Sequence, residues 1–257
     1  MGMLVNVVVA DAEDAGSIIE SEKPVEEWKG FEAKGLDQAK FAMLHALLSG
    51  ELFDEALDEC GRADDTLVLL TSDHGELFYR HDIFFDHHGL YDGNIHCPLL
   101  VRWPGVTTGG GRLTGLAQHQ DLAPTVLDAM GIEGVEAMDG SSLVPALSGG
   151  DMPPRDFVVA EACTWQKKWA IRTATEKLIV SRAPDFHGKP MRELFDLHAD
   201  PDELCDIAET QPALADGLQE RLEDWIRAMV AKNGLAGDPL AASDITLGKK
   251  WEQWLQG

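Results

Sequence analysis

Between Asp65 and Glu76 the chain runs Asp-Thr-Leu-Val-Leu-Leu-Thr-Ser-Asp-His-Gly-Glu, and no other stretch limits the fold as tightly. Successive apolar and β-branched residues from Thr66 to Leu70, with polar residues on either side, predict a short buried strand. Gly75 just beyond it lets the backbone turn sharply. Asp73 and His74 therefore stand at the strand's exit, and in open α/β sheets ligands bind outside the carboxyl ends of the strands. A neighbouring carboxylate and imidazole there can both reach one divalent cation, the Asp with a hard oxygen and the His with a nitrogen or a hydrogen bond to bound substrate.

The next stretch crowds His81, Asp82, Asp86, His87 and His88 together, and Gly89-Leu90-Tyr91-Asp92-Gly93, Pro98-Leu99 and Trp103-Pro104-Gly105 close it. In these residues the chain resembles the type I sulfatases of the alkaline phosphatase superfamily. Their second metal-binding segment reads much like Thr71 to Glu76, followed by a loop with a Lys or His, a Tyr-Asp/Glu-Gly, a Pro-Leu strand and Trp-Pro-Gly. The likeness continues from His119 to Asp128, from Met138 to Leu143, and from Glu193 to Leu197 with Asp200-Pro201-Asp202-Glu203. The opening segment to about Lys34 has no counterpart in that pattern.

The resemblance implies a partial, sulfatase-like three-layer α/β domain over residues 1–150, then a small antiparallel sheet plus helix over 151–257. It implies hydrolysis of a sulfate ester, with a sulfated small molecule or glycan as substrate. Asp73 and His74 become ligands of a divalent cation, expected to be Ca²⁺. His87 falls where many relatives carry a Lys that contacts the sulfate and protonates the leaving oxygen, work a His can do with a pKa held near neutrality. His88 and His81 can exchange that role or face substrate. Asp82 and Asp86 are expected as solvated carboxylates or as partners orienting a His.

The family's nucleophile is a formylglycine made from the Cys or Ser of a Cys/Ser-x-Pro-x-Arg motif, which lies beside the first pair of metal carboxylates. This sequence contains neither. Cys97-Pro98-Leu99 has its proline in the wrong place and falls in the segment that matches another part of the family. The chain therefore reads as the C-terminal portion of a sulfatase, inactive on its own, with a separate N-terminal half or a second copy as possible partners. Phosphodiesterases and phosphonate hydrolases of the same superfamily share the strand-end Asp-His pair, and a non-catalytic remnant is the third reading. His119 and Arg102 are expected to be structural, and His96 to face along a strand.

The remaining sequence sets bounds. The 257 residues carry 45 acidic and 21 basic side chains, a formal charge of -24 that disfavours non-specific binding to nucleic acid or an anionic membrane. Such acidity suits a high-salt source, where counterions screen self-repulsion. Cys60, Cys97, Cys163 and Cys205 are too scattered for a metal module and are expected reduced and buried. The apolar run Leu4 to Ala10 predicts a strand and lacks the basic residue that would precede a signal peptide, so the chain as written reads as cytoplasmic. Helical spacing runs from Leu36 to about Cys60 and from Gln211 to Ala231, and Asp121 is expected to cap a helix. Phe78, Tyr79, Phe84 and Phe85 are expected to anchor a long polar loop over 76–93. A linker is expected over 149–155, strands over 157–161, 169–172 and 177–181, and a last short helix docked by Trp251 and Trp254.

Overall fold

The computed structural model describes residues 4–9, 57–132, 138–163, 165–184 and 187–242. Most of the predicted helix before Cys60, and the Trp251 and Trp254 tail, lie outside the described residues; residues 57–59 are helical.

The first sheet places β2 (Val68–Thr71), β5 (His96–Arg102), β1 (Leu4–Val9) and β6 (Gly111–Arg112) side by side, with β7 (Ala117–Gln118) also on β1. β1 runs parallel to β5, with Leu4 opposite His96, while β2 runs antiparallel to β5, with Thr71 opposite Leu99. Alternate residues of β5, Cys97, Leu99 and Val101, are buried and pack with Ala117, Leu143 and Leu147. β2 departs from expectation. All four of its residues are half-buried, because among the described residues it pairs with β5 alone and sits at the sheet edge.

The stretch after β2 is not a plain loop. It folds into a hairpin, β3 (Leu77–Phe78) against β4 (Phe84–Asp86), with a tight turn of 3-10 helix at Arg80–Asp82, and then into α1 (Asp92–Ile95). Phe78 and Tyr79 are exposed, contrary to their expected anchoring role, and the anchors are Leu77, Ile83, Leu90 and Tyr91. The side chains of Phe84 and Phe85 lie outside what the structure describes.

The second sheet is the expected antiparallel one, in the order β11 (Arg192–Asp196), β10 (Glu176–Ser181), β9 (Lys168–Arg172), β8 (Val158–Ala162). Both of its faces are covered. On one, Val159, Ile171, Leu178, Val180 and Leu194 pack against the Leu218, Leu222 and Ile226 stripe of α4 (Pro212–Lys232). On the other, Ala160, Ala170, Ile179 and Phe195 pack against Leu77, Ile83, Leu90, Tyr91 and Ile95. Lys168, Lys177 and Glu193 share that second face and are buried with it.

α2 (Leu122–Ala129) starts where expected, but the Asp121 side chain does not cap it. That carboxylate, 1 % exposed, instead takes two bonds of 2.7 Å from Arg155 and accepts the amides of Gln118 and Ser141. A buried arginine fork outcompetes a local cap. Arg155 thereby ties the predicted linker down. α3 (Val144–Leu147) and the short α5 (Pro239–Ala242) complete the described helices, and among these residues none is long and apolar enough to cross a membrane. No disulfide joins the four cysteines, but Cys60 and Cys205 are exposed rather than buried.

Candidate active site

The exit of β2 is shaped by two glycines in backbone contact. A Cβ on Gly75 would lie 2.0 Å from the Gly93 carbonyl oxygen, and the Gly75 amide donates to Asn94 O at 2.7 Å. The Asp-His-Gly turn thus rests directly on the Tyr-Asp-Gly turn at the start of α1, so the two motifs form one structure.

At this turn Asp73 points outward, its side chain 86 % exposed, and accepts the His74 amide at 2.9 Å. That amide, and then the charge of the His74 ring, hold the Asp73 carboxyl below its ordinary range. His74 Nδ1 lies 2.7 Å from its neighbour's carbonyl, Gly75 O. A carbonyl only accepts, so Nδ1 carries a proton, and Nε2 is the ring atom that can offer a lone pair to a cation. Nε2 is 3.6 Å from Asp73 Oδ2, within the span that two ligands of one cation keep when each bond is about 2.0–2.6 Å. Donor atoms of His74, Glu76 and His87 also lie within 4.8 Å of one another. The residues fit a divalent cation. Glu76 is a donor that the sequence reading passed over as part of the turn.

His87 stacks on His74 with ring centroids 4.2 Å apart. Asp86 organises the loop: it accepts the His87 amide at 2.8 Å and stands 3.4 Å from His87 Nδ1 and 3.3 Å from His88 Nε2. The expectation that Asp86 orients a histidine therefore matches its position, whereas Asp82 pairs with Lys189 at 2.7 Å. Burial pushes the His88 ring's pKa down. His88 Nδ1 meets His187 Nε2 at 3.4 Å, across 99 residues of sequence that gave no local signal.

His81 is placed elsewhere. Its ring lies flat on Tyr91 at 3.6 Å, and among the described residues it makes no hydrogen bond or ring contact to His74, His87 or His88. Burial, then the charges of Lys189, Lys177 and Arg80, lower its pKa to about 4. His119 Nε2 meets Thr71 Oγ1 at 3.3 Å, bracing the end of β2. Arg102 donates to Ala63 O at 2.9 Å, and His96 leans on Asp92 at 3.4 Å.

Cys97 does not fit the formylglycine. It is 1 % exposed within β5, and burial raises its thiol pKa, so no step is assigned to it.

Two buried charge clusters hold the site loop from behind. Tyr91 OH donates to Glu193 at 2.8 Å, and Lys168 meets the other oxygen of Glu193 at 3.2 Å. Lys177, 0 % exposed, reaches Asp92 at 2.5 Å, Glu203 at 2.6 Å and Leu90 O at 3.0 Å. Burial works against the Asp92 charge, yet His96, Lys177 and Arg172 outweigh it and lower the pKa; burial raises that of Glu203.

Residues 80–231 match the family described as N-sulphoglucosamine sulphohydrolase, C-terminal. The chain belongs to the sulfatase family. Arylsulfatase K of Bos taurus is 31% identical over 183 residues, covering 66% of this chain and 33% of that protein. An N-acetylglucosamine-6-O-sulfatase of Bacteroides thetaiotaomicron is 29% identical over 160 residues, 59% of this chain and 28% of its own. The chain thus spans about a third of the length of these sulfatase relatives, 33% and 28% respectively. Among solved structures, one in complex with its substrate D-glucosamine-2-N,6-O-disulfate superposes with a TM-score of 0.63 at 25% identity, covering 72% of this chain and 39% of the other. A phosphonate monoester hydrolase of Agrobacterium radiobacter gives 0.61 at 29% identity over the same shares, 72% and 39%. The fold is that of a partial sulfatase α/β domain with its small C-terminal sheet.

Proposed function

We propose that this chain carries the cation and leaving-group side of a sulfatase active centre acting on the sulfate of an amino sugar or glycan. One observation carries this reading: Asp73 and His74 offer an oxygen and a nitrogen 3.6 Å apart at the strand exit, with His87 stacked beside them. Asp73 and His74 hold the cation, Ca²⁺ by family likeness, with Glu76 as a further donor. When bound, the cation supplies positive charge against the non-bridging oxygens of the sulfate. His87 gives its proton from Nε2 to the departing alcohol oxygen, since its Nδ1 leans on Asp86. His88, kept neutral by burial, orients the same oxygen. His81 serves at one remove, fixing Tyr91. The amino sugar is supported by the N-acetylglucosamine-6-O-sulfatase and glucosamine disulfate relatives.

No formylglycine motif occurs in this sequence, so the 257-residue chain alone is expected to show no turnover. Arylsulfate hydrolysis by the purified chain, abolished by Asp73→Ala, would refute that. Calorimetric titration of the chain with Ca²⁺ and Mn²⁺ tests the site itself: one cation per chain is expected for the wild type, and loss of binding in both Asp73→Ala and His74→Ala. Unchanged binding in both variants would end the proposal. The phosphonate hydrolase likeness supports a second reading, favoured if methylphosphonate competes better than sulfate for the cation-loaded chain.

A further inference from the structure

Next to the histidine cluster lies a cavity of about 210 Å³, bounded by His87 and His88 on one side and by Glu161, Cys163, Trp165 and Gln166 on the other. Its far wall is the end of β8 and the turn into β9, so the second sheet supplies what the first sheet's loop lacks. The volume falls below the roughly 300–1,000 Å³ of pockets that enclose drug-sized ligands, and suits a single ring.

Three features of the wall describe that ring. Trp165 stands 5.2 Å from the His88 ring, an aromatic surface of the kind on which the C–H face of a pyranose lies. Gln166 is 2 % exposed, and its Oε1 has no hydrogen-bond partner among the described residues. A buried amide oxygen left in that state costs free energy, and a ligand hydroxyl or N–H would satisfy it. Glu161 adds a carboxylate to the same wall, which attracts hydroxyl and amino donors and repels an acid group.

We infer that this cavity seats the sugar ring of the substrate, and that Trp165, Gln166 and Glu161 select a neutral or amino pyranose over a uronic acid. This rests on the proposed sulfate site beside His87, whose anion it extends into a whole substrate. The cavity is the specificity wall of the site and takes no part in bond making.

The test is titration of the cation-supplemented full chain with inorganic sulfate, glucosamine, glucosamine 6-sulfate and a 2-sulfated uronate. Glucosamine 6-sulfate is expected to bind at least about tenfold tighter than sulfate, the worth of one stacking contact and one hydrogen bond. Trp165→Ala and Gln166→Leu should erase that advantage while leaving sulfate affinity and the circular dichroism spectrum unchanged. Gln166→Leu should not lower the melting point, since it removes an unsatisfied oxygen. The inference is overturned if the sugar sulfate binds no tighter than sulfate, if both variants keep the advantage, if the uronate binds equally well, or if nothing binds. Binding of glucosamine lost in Trp165→Ala, with no binding of sulfate, would uphold the ring seat and refute the anion site.

Discussion

Lys177→Met removes the ammonium that bridges two carboxylates in the cluster behind the site loop, leaving Arg172 on Asp92 alone, while keeping the bulk of the stem. The ammonium lies 2.5 Å from Asp92 and 2.6 Å from Glu203. At an effective dielectric of about 20 each contact is worth roughly 6 kcal/mol before desolvation, which takes back most of it. What decides the outcome is the state left behind: Glu203, 2 % exposed as a residue, faces Asp92 with no counter-charge of its own. Breaking a buried pair in this way costs about 3–5 kcal/mol. For a chain of this size that is a fall of roughly 6–20 °C in melting temperature, read by circular dichroism at pH 8. Burial already raises the Glu203 pKa, and without Lys177 it rises further, so the carboxyl takes up a proton as the pH drops. The deficit against wild type should therefore shrink between pH 8 and pH 5. Lys177→Met with Glu203→Gln should recover most of it at every pH. A drop below about 2 °C, a deficit that ignores pH, or a double variant no better than the single would refute the reasoning.

Gly75→Ala places a methyl 2.0 Å from a backbone oxygen that cannot move aside, and is expected to destabilise by about 2–4 kcal/mol in urea unfolding. His81 holds no proton in the folded chain until about pH 4, whereas the unfolded chain takes one near 6.5, so acid favours unfolding in that window. Stability linked to His81 is fully present above pH 6.5 and is lost as the pH falls towards 4; His81→Phe should flatten that part of the urea-midpoint curve. Leu222→Ala, at a position 0 % exposed on the buried face of α4, should cost about 2–5 kcal/mol by guanidinium titration.

The parts of the fold that were legible in the sequence are those written in short-range pattern. The Leu214 to Met229 periodicity, the β5 run before Trp103-Pro104-Gly105, and the Asp-His-Gly turn all specify themselves locally. Lys168, Lys177 and Glu193 are different, because a charged residue alternating with apolar ones predicts a strand with one wet face. Here the wet face is covered by the Leu77 to Ile95 segment, and the charges are buried in pairs whose members lie 25 (193 − 168) to 85 (177 − 92) residues apart. The same reason hid His187, reached only through the fold, and the Asp121 fork, where Arg155 displaces a local cap that looked well formed. Phe78 and Tyr79 misled because ring size suggests an anchor, while the hairpin's alternation turns Leu77 inward instead.

The fastening of Asp92 by Glu203, through a 2.5 Å hydrogen bond from the Asp92 backbone N–H to a Glu203 carboxylate oxygen 111 positions away, sets an order of events during synthesis. At roughly 5–20 residues per second, the ribosome delivers the clasp some 6–20 seconds after the histidine segment has emerged. Until then the proposed donor set stands on a segment without backing, and its fastening awaits the emergence of Glu203.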